Sequence, residues 1–297
     1  MCASFTLKAP AKINLNLYVT GRRNDGYHLL SSLVAFADLS DTILIKPAKS
    51  DQLSVSGPFS HKLKDVGAIS LEDNILGQCL FTFRQHYAQD LPPLHIHLEK
   101  NIPVGAGIGG GSSDCAALLR GLFAQLHVKV SEQEQLDFAL QFGADVPVCL
   151  KSEPCIMEAI GEELQALHDI ISHPAILINP NNSLSTPSVF KAYKALNKAF
   201  SKDCNINSPR MIGQNDLTKA ATSLCPEIGS ILNYSEQIPN LKGFGMSGSG
   251  ATCFILFHDE KTRNDYLTLI KQSFPSYWLK ATDIGSAPQE AFYEHQI

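Results

Sequence analysis

A glycine-rich segment is the part of this sequence whose residue types and spacing most directly suggest chemistry. Residues 102–114 read IPVGAGIGGGSSD and contain five glycines and two serines. Gly105, Gly107 and Gly110 match the G-x-G-x-x-G spacing of a dinucleotide-binding loop. That spacing alone does not decide between a flexible loop, a dinucleotide-binding loop and a phosphate-binding loop.

Two conditions of a dinucleotide-binding loop are not met by this segment. The first glycine of such a loop ends a strand, and an acidic residue follows about 20 positions later at the end of the next strand. Here residues 100–103 separate a predicted strand from Gly105, and the candidate acids Glu132 and Glu134 lie in a predicted helix. A Walker A loop is excluded as well, because no Gly-Lys-Ser/Thr ends the run.

Phosphate binding is the interpretation that remains for the glycine-rich segment. Glycines let backbone N–H groups converge, and a helix predicted over 113–126 would turn its positive end towards an anion. A plain loop with Ser113 as helix N-cap is the alternative, but five glycines without a ligand would add entropic cost to folding. The predicted phosphate-binding residues are Pro103, Val104, Gly105, Ala106, Gly107, Ile108, Gly109, Gly110, Gly111, Ser112 and Ser113, the two serines as hydroxyl donors.

Transfer of a phosphoryl group to an alcohol needs a base for the hydroxyl proton and a positive charge for the phosphoryl group. Asp145, in the segment GADVPV, is a candidate base, although a carboxylate that caps a turn is an equally good interpretation. Lys12 is a candidate cation on the polar face of a predicted strand, where a solvated lysine is the alternative. The sequence alone gives no distance between them.

The elements that must position these residues follow from periodicity. Residues 11–19 alternate strictly, which predicts a half-buried strand with Lys12, Asn14, Asn16 and Tyr18 on its polar face. Further strands are predicted at 42–45, 94–99, 175–179, 251–257 and 278–281, and helices at 74–87, 113–126 and 131–142, the last with a capping box of Ser131 and Glu134. Strands and helices intermix without regular βαβ alternation, so we expect an α+β fold with two lobes, residues 1–160 and 161–297.

Composition restricts the class of partner. The chain has 297 residues, a formal net charge of -5 and a hydrophobic fraction of 44%, which argues against nucleic acid or an anionic membrane and favours a small molecule.

Eight cysteines without a C-x-x-C pair predict reduced thiols in the cytoplasm. Residues 1–7 lack a basic start followed by a long apolar segment, and no run of about 20 apolar residues occurs, so we expect a soluble protein that is not exported. His95 and His97 share a strand face, but two ligands do not complete a metal site, and surface histidines are expected.

Three motifs in a fixed order resemble the superfamily of galactokinase, homoserine kinase, mevalonate kinase and phosphomevalonate kinase: PAKINL at 10–15, PVGAGIGGGSS at 103–113 and GMSGSGA at 245–251. Within it, APAKINLNL at 9–17, DGYH at 25–28, EDN at 72–74, GADVPV at 143–148 and Thr186-Pro187 with Phe190-Lys191 resemble the 4-diphosphocytidyl-2-C-methyl-D-erythritol kinases over nearly the whole chain. The resemblance implies an N-terminal lobe like the second domain of ribosomal protein S5 and a ferredoxin-like C-terminal lobe. It also implies ATP-dependent phosphorylation of the 2-hydroxyl of that substrate, a step towards isoprenoid precursors.

The resemblance also implies roles for matching positions. Asp145 would take the hydroxyl proton, and Lys12 would keep that carboxylate ionised and stabilise charge on the phosphoryl group. Asn74 and Lys100 would line the adenine end of the ATP site, although Asn74 is equally plausible as a helix N-cap. The cytosine of the substrate would stack between Tyr27 and Phe190, although Phe190 alone is better interpreted as a core residue. The implied substrate-binding residues are Asn14, Tyr27, His28, Thr186, Phe190, Ser247 and Gly248, with Asn16 less certain.

The loop departs from the pattern of the family, MGGGLGGGSS, at Val104, Ala106 and Ile108. We expect a negative φ at Ala106, because positive φ is costly for alanine. ATP is the implied cofactor, with Mg²⁺ delivered on its phosphates, no protein ligand to the metal identified, and a monomer or homodimer as the assembly. Another small-alcohol kinase of the superfamily is an open alternative. Lys12 and Asp145 argue against a non-catalytic nucleotide-binding module, and the missing acidic residue argues against an NAD-dependent oxidoreductase.

Overall fold

The computed structural model describes residues 4–65, 70–168, 171–201, 212–285 and 293–295. These residues form twelve strands and nine helices. The strands are β1 (Ser4–Asn14), β2 (Tyr18–Arg22), β3 (His28–Pro47), β4 (Gln52–Ser56), β5 (Leu94–Glu99), β6 (Cys155–Ala159), β7 (Glu163–Ala166), β8 (His173–Asn179), β9 (Gly243–Met246), β10 (Cys253–Leu256), β11 (Trp278–Gly285) and β12 (Tyr293–His295). The helices are α1 (Ser60–Asp65), α2 (Ile75–Tyr87), α3 (Gly110–Gln125), α4 (Glu132–Leu140), α5 (Val146–Lys151), α6 (Thr186–Ala195), α7 (Thr218–Leu224), α8 (Glu227–Glu236) and α9 (Glu260–Ser273).

A long central strand, β3, connects the two halves of the sheet. It pairs with β1, β2, β5, β6 and β11, and the main strand order is β12-β1-β3-β11-β8-β10-β9. The strands pair antiparallel except for β4 and β5, which are parallel. The fold is α+β, as expected. The sheet continues from β3 into β11 through Ala37 and Phe36, and the division at residue 160 stays a prediction.

Three clusters of buried apolar side chains hold this sheet and its helices. The first packs α2, α3 and α5 on the N-terminal part of the sheet around Phe83 and Leu118. The second lies under the helices of the C-terminal half around Ile228 and Phe257. The third contains residues that alternate with these along the strands, such as Ala35 on β3 and Leu177 on β8, and so lies on the opposite face of the sheet. It includes Ala106 and Ile108 of the glycine-rich segment, so the core itself fixes part of that loop.

The polar face predicted for residues 11–19 is not exposed to solvent. Strand β1 ends at Asn14 and β2 begins only at Tyr18, so one continuous strand was the wrong prediction. Lys12, Asn14 and Asn16 are almost completely buried. The alternation is real, but a second layer of chain covers the polar face, which periodicity does not detect.

Helix starts are the other difference from the prediction. Helix α3 begins at Gly110, inside the glycine run, rather than at Ser113. The predicted capping box of Ser131 and Glu134 is present on α4. The side chain of Asn74 accepts from the Leu76 N–H at the start of α2, so the N-cap interpretation of Asn74 is confirmed.

Two further predictions concern histidine and cysteine. His95 and His97 are half-buried rather than free on the surface, because Ser54 and Ser56 of the neighbouring strand β4 hydrogen-bond to their rings. The six cysteines within the described ranges are unpaired and buried, whereas Cys2 and Cys204 lie outside those ranges. None of the helices in the described residues is long and apolar enough to cross a membrane.

Candidate active site

The glycine-rich loop has an alternating backbone. Gly105, Gly107 and Gly109 have φ angles of 66°, 77° and 66°, in the left-handed region that favours glycine. Ala106 and Ile108 are not in that region, which confirms the expectation for Ala106. Alternation of this kind forms backbone concavities, called nests, whose N–H groups bind anions.

The carbonyl groups of the loop are held on its other side. Ala106 O accepts from Thr252 N at 3.1 Å, Ile108 O accepts from Lys12 N at 3.0 Å, and Gly107 O accepts from Ser247 Oγ at 3.1 Å. A Cβ on Gly107 would lie 2.4 Å from Gly250 O. The second Gly/Ser motif of the sequence is therefore a brace that packs against the first.

Helix α3 starts directly from this loop. Gly109 is its N-cap, and the first N–H groups of a helix have no acceptor within the helix. The Ser113 hydroxyl donates to Pro10 O at 2.7 Å and is buried. Ser113 is thus neither the N-cap nor a hydroxyl donor to the cleft, because β1 takes its hydroxyl, whereas Gly110, Gly111 and Ser112 do line the cleft.

The loop borders a cleft of about 590 Å³, within the range of small-molecule sites. N-terminal and C-terminal segments both contribute to it. The residues that line it include Lys12, Asn14, Leu63, Asn74, Ile75, Leu98, Lys100, Pro103, Val104, Gly105, Ala106, Gly107, Gly109, Gly110, Gly111, Ser112, Asp114, Asp145, Thr186, Phe190, Gly248 and Ser249.

Lys12 and Asp145, far apart in sequence, meet in this cleft. Lys12 Nζ lies 2.9 Å from Asp145 Oδ2, and the lysine side chain is 3% exposed whereas the carboxylate is 35% exposed. Asp145 precedes α5, but its side chain makes no capping hydrogen bond there. Both alternatives from the sequence, a solvated lysine and a capping aspartate, are therefore wrong. The pair presents an accessible carboxylate beside a fixed ammonium group.

Asn14 fixes the lysine from the other side. Its Oδ1 accepts from Lys12 Nζ at 2.9 Å, and its Nδ2 donates to Ser32 Oγ at 2.7 Å. Its backbone N–H donates to Ser247 Oγ at 3.0 Å. Asn16 instead accepts from Leu33 N and supports the chain between β1 and β2. Ser32 was missed, because β3 reads as a buried strand and no motif marks that position.

A second buried lysine, Lys100, lies beside Gly110. Its Nζ contacts Asp41 Oδ2 at 2.5 Å and Asp114 Oδ2 at 2.6 Å. Burial opposes the charge of Lys100, but Asp114 and Asp41 outweigh it and raise the pKa of the lysine. Neither aspartate was predicted: Asp114 ends the glycine-rich segment, but the sequence does not show that Lys100 is buried and therefore needs anionic partners.

Aromatic residues lie at the C-terminal side of the cleft. The His28 ring stacks on Phe190, with 4.8 Å between centroids and 16° between planes. Burial, and then Arg22 and Lys194, lower the pKa of His28. Phe190 lines the cleft and also packs on the second cluster. Tyr27 is 61% exposed and, like His28, is not among the lining residues.

Of the two residues predicted in the second Gly/Ser motif, Gly248 lines the cleft and Ser247 does not. Ser247 is buried as a brace, whereas Gly248 and Ser249 line the cleft. The hydroxyl groups of Ser249 and Thr186 lie 3.0 Å apart. Ser249 was missed although the sequence motif contains it. Within the described ranges, no group of three or more His, Cys, Asp or Glu side chains is arranged to hold a metal ion.

Comparison with known proteins defines the class. Residues 74–153 match the model "GHMP kinases N terminal domain" and residues 187–270 match "GHMP kinases C terminal". The fold resembles a homoserine kinase from Cytophaga hutchinsonii, with a TM-score of 0.68, 16% identity, and coverage of 97% of this chain and 96% of that one. The protein is a two-domain GHMP kinase in fold and sequence.

More similar relatives identify the family within this class. The chain is 40% identical over 291 residues to a 4-diphosphocytidyl-2-C-methyl-D-erythritol kinase from Agrobacterium fabrum, covering 92% of this chain and 94% of that one. A kinase of the same name from Brucella abortus is 41% identical over 86% of this chain and 87% of its own. A crystal structure of a 4-(cytidine 5'-diphospho)-2C-methyl-D-erythritol kinase has a TM-score of 0.75, 29% identity, and coverage of 95% and 100%. The chain belongs to the 4-diphosphocytidyl-2-C-methyl-D-erythritol kinase family.

Proposed function

We propose that this protein transfers the γ-phosphoryl group of ATP to the 2-hydroxyl of 4-diphosphocytidyl-2-C-methyl-D-erythritol, in the methylerythritol phosphate pathway. The observation that carries the proposal is the pair of Lys12 Nζ and Asp145 Oδ2, 2.9 Å apart, in a cleft that a glycine loop borders. A family of kinases with this substrate in its name supplies the acceptor. A non-catalytic nucleotide-binding module would not need this pair.

Asp145 is the proposed base. Its carboxylate is partly exposed, so an acceptor hydroxyl can approach it. The hydroxyl oxygen bonds to the γ-phosphorus as the bond to the bridging oxygen of ADP breaks, and the hydroxyl proton passes to Asp145. Such a positioned base contributes about 10²- to 10⁴-fold in rate. Lys12 holds the carboxylate in place and offsets charge on the transferred group.

The glycine loop is the proposed phosphate site. Its carbonyl oxygens accept hydrogen bonds from Thr252, Ser247 and Lys12. The start of α3 supplies N–H groups and the positive end of the helix dipole for the phosphates. The base of ATP would lie against the apolar surfaces of Leu63, Ile75 and Leu98, near Asn74 and Lys100. We propose that Mg²⁺ enters bound to the phosphates of ATP, as this ion commonly does.

The cytidyl group is proposed to lie against Phe190. For Tyr27 and Phe190 to stack on the two faces of cytosine, the His28 ring has to leave its present stack on Phe190 and turn to the edge of the base. Thr186 and Gly248 would contact the remainder of the substrate. Because the Ser247 hydroxyl is already bonded to Gly107 O, we assign to Ser249 the polar contact expected of Ser247.

The same proposal includes cytoplasmic location, a monomer or homodimer, and no nucleic-acid or membrane partner. The net charge of -5 supports the absence of a nucleic-acid or membrane partner, because polyanion binding normally requires a concentrated basic surface.

An acceptor panel tests the proposed function. We expect ADP release from ATP and Mg²⁺ with diphosphocytidyl methylerythritol, and at least tenfold lower kcat/KM with mevalonate, homoserine and galactose. Turnover of one of those three in preference would make the protein another small-alcohol kinase of the superfamily. ATP binding without turnover of any acceptor would instead support a nucleotide-binding module.

A further inference from the structure

The buried cluster of Asp41, Lys100 and Asp114 contains more acid than its donors satisfy. Two carboxyl groups contact one ammonium group, at 2.5 and 2.6 Å. All three side chains are less than 5% exposed. If both acids were ionised, one uncompensated negative charge would be buried, which is among the most costly arrangements in a protein interior.

A count of donors shows which carboxyl group is left over. Asp41 Oδ1 accepts from the N–H groups of Asn101 and Ile102, and Asp41 Oδ2 accepts from Lys100. Asp114 Oδ2 also accepts from Lys100. Among the residues that the structure describes, no donor lies within hydrogen-bond distance of Asp114 Oδ1, which is closed off from solvent. Asp41 therefore has the donors of a carboxylate, and Asp114 does not.

We propose that Asp114 is a neutral carboxylic acid at neutral pH, so that the Asp41–Lys100–Asp114 cluster carries no net charge beneath the phosphate-binding loop. Asp41 and Asp114 both contact Lys100 Nζ, so the Asp41 carboxylate is the anion beside this acid. Asp114 lies five residues into α3, whose N-terminus borders the cleft. A negative charge there would oppose the ATP phosphates, so the bound proton preserves the positive potential of the loop. This functional part rests on the proposed function.

Other charges around Asp114 agree with this assignment. Burial raises the pKa of Asp114 well above its ordinary value; Lys100 lowers it, and Asp41 adds to the rise. The elements that pack against α3 carry further titratable groups: Cys79, Arg84, His86 and Tyr87 on α2, Cys149 and Lys151 on α5, Lys8 and Lys12 on β1, and His28, Asp38, Asp41 and Lys46 on β3. Of these, Asp41 is the group that acts on Asp114 together with Lys100. Lys12 is already paired with Asp145. Within the described ranges, Lys100 is the cation that contacts Asp114.

Unfolding measured against pH tests the charge state directly. Above about pH 5 the unfolded chain has an ionised Asp114, so folding of the wild type takes up one proton at this site, and its stability falls as pH rises. Asp114→Asn takes up none. We therefore expect the unfolding equilibrium constant of the wild type, divided by that of Asp114→Asn, to increase about tenfold per pH unit until the Asp114 pKa is reached. A ratio independent of pH would overturn the proposal.

Asp51→Asn is the matched control, because Asp51 is an ordinary ion-paired carboxylate. Arg84 donates two hydrogen bonds to it, and this partner lowers the pKa of Asp51. Its ratio to the wild type should not change above pH 5. Infrared spectra of the wild type give a second readout that needs no folded variant. A carboxylic acid band above the amide I region is expected at neutral pH, and its absence would contradict a protonated Asp114.

ATP affinity tests the functional part of the proposal. The dissociation constant of Mg²⁺-ATP should rise at alkaline pH in the wild type as Asp114 ionises, and should stay flat in Asp114→Asn. Equal pH dependence in both proteins would overturn the role in the phosphate site. Neither measurement includes an acceptor alcohol, so a wrong assignment of the acceptor would leave both results unchanged and would appear only in the acceptor panel.

Discussion

Two buried lysines, Lys12 and Lys100, border the start of α3, and both are paired with aspartate. The carboxylate that faces Lys12, on Asp145, is 35% exposed, whereas the two that face Lys100 are closed off from solvent. Solvent access to the carboxyl group, rather than the type of ion pair, therefore distinguishes a site that can react from a cluster that supports the structure. A carboxylate that the acceptor alcohol can reach is able to take the proton of the alcohol. A carboxyl group closed off from solvent cannot exchange a proton with the acceptor, and it acts only through its charge and the groups that it contacts.

The largest expected effect is on turnover, through the solvent-accessible ion pair of Lys12 and Asp145. Asp145→Asn removes the proposed base but preserves shape, so kcat should fall about 10²- to 10⁴-fold. Lys12, 3% exposed, keeps Asn14 but loses its counter-ion, so the free energy of unfolding should also fall, by about 1–3 kcal/mol. Steady-state kinetics, Mg²⁺-ATP binding and urea unfolding measure the three quantities. Retained wild-type turnover would remove Asp145 from the mechanism.

The buried cluster of Asp41, Lys100 and Asp114 should respond mainly in stability. Lys100→Met leaves the Asp41 carboxylate buried without its cation, which costs about 3–5 kcal/mol of stability. Lys12→Met is the matched control: its partner Asp145 can be hydrated, so kcat should fall while stability changes by about 1 kcal/mol or less. Urea unfolding and kcat of both variants provide the comparison. Similar losses of stability in the two variants would show that access does not separate the sites.

The sequence predicts these two regions unequally, for physical reasons. The resemblance to a kinase family implied that Lys12 and Asp145 act together, and the two side chains lie 2.9 Å apart, although no local rule connects positions so far apart. The closed cluster was missed because Asp41 lies in a strand with no motif, and long-range pairing of a buried cation leaves no periodic signal. Lys100 itself was predicted only as a residue near adenine.

Local rules performed well where local geometry decides the outcome. The capping box at Ser131 depends on neighbouring residues, and the negative φ at Ala106 follows from steric limits within one residue. Ser113 was assigned to the wrong role because its hydroxyl is bonded to Pro10 O, on another element. Periodicity showed the alternation of residues 11–19 but not the loop that buries their polar face.

Within the glycine loop, two substitutions sharpen the contrast between fixed and free backbone. Gly107→Ala places a Cβ 2.4 Å from Gly250 O at a φ of 77°, so the free energy of unfolding should fall by at least about 1–2 kcal/mol. Gly111→Ala meets nothing within 4 Å and lies in a helix, where alanine is favoured by roughly 0.5–1 kcal/mol. Urea unfolding without ATP checks both. Equal changes would contradict the bracing of the loop by the C-terminal motif.

The smallest expected effect is on recognition of the cytidyl group. The pKa of His28 is lowered by burial, and then by Arg22 and Lys194, so the ring is neutral at neutral pH and becomes protonated only below the ordinary histidine range. A neutral ring nitrogen can accept from the amino group of cytosine, whereas a protonated ring cannot. The KM for the cytidyl substrate should therefore rise as pH falls from 7 to 5, by up to about tenfold, which is the value of one hydrogen bond.

His28→Asn is the variant that isolates this effect. Its KM should be higher than that of the wild type at pH 7 and nearly constant down to pH 5, while the KM for ATP shows the same pH dependence in both proteins. The free energy of unfolding should also fall with pH, because a histidine held neutral in the folded state contributes stability that is lost as pH falls from about 6.5 towards its lowered pKa. Unfolding curves of both proteins over this pH range must therefore accompany the kinetics. If wild type and variant lose affinity for the cytidyl substrate in parallel, the titrating group is not His28, and Phe190 then carries recognition of the base without it.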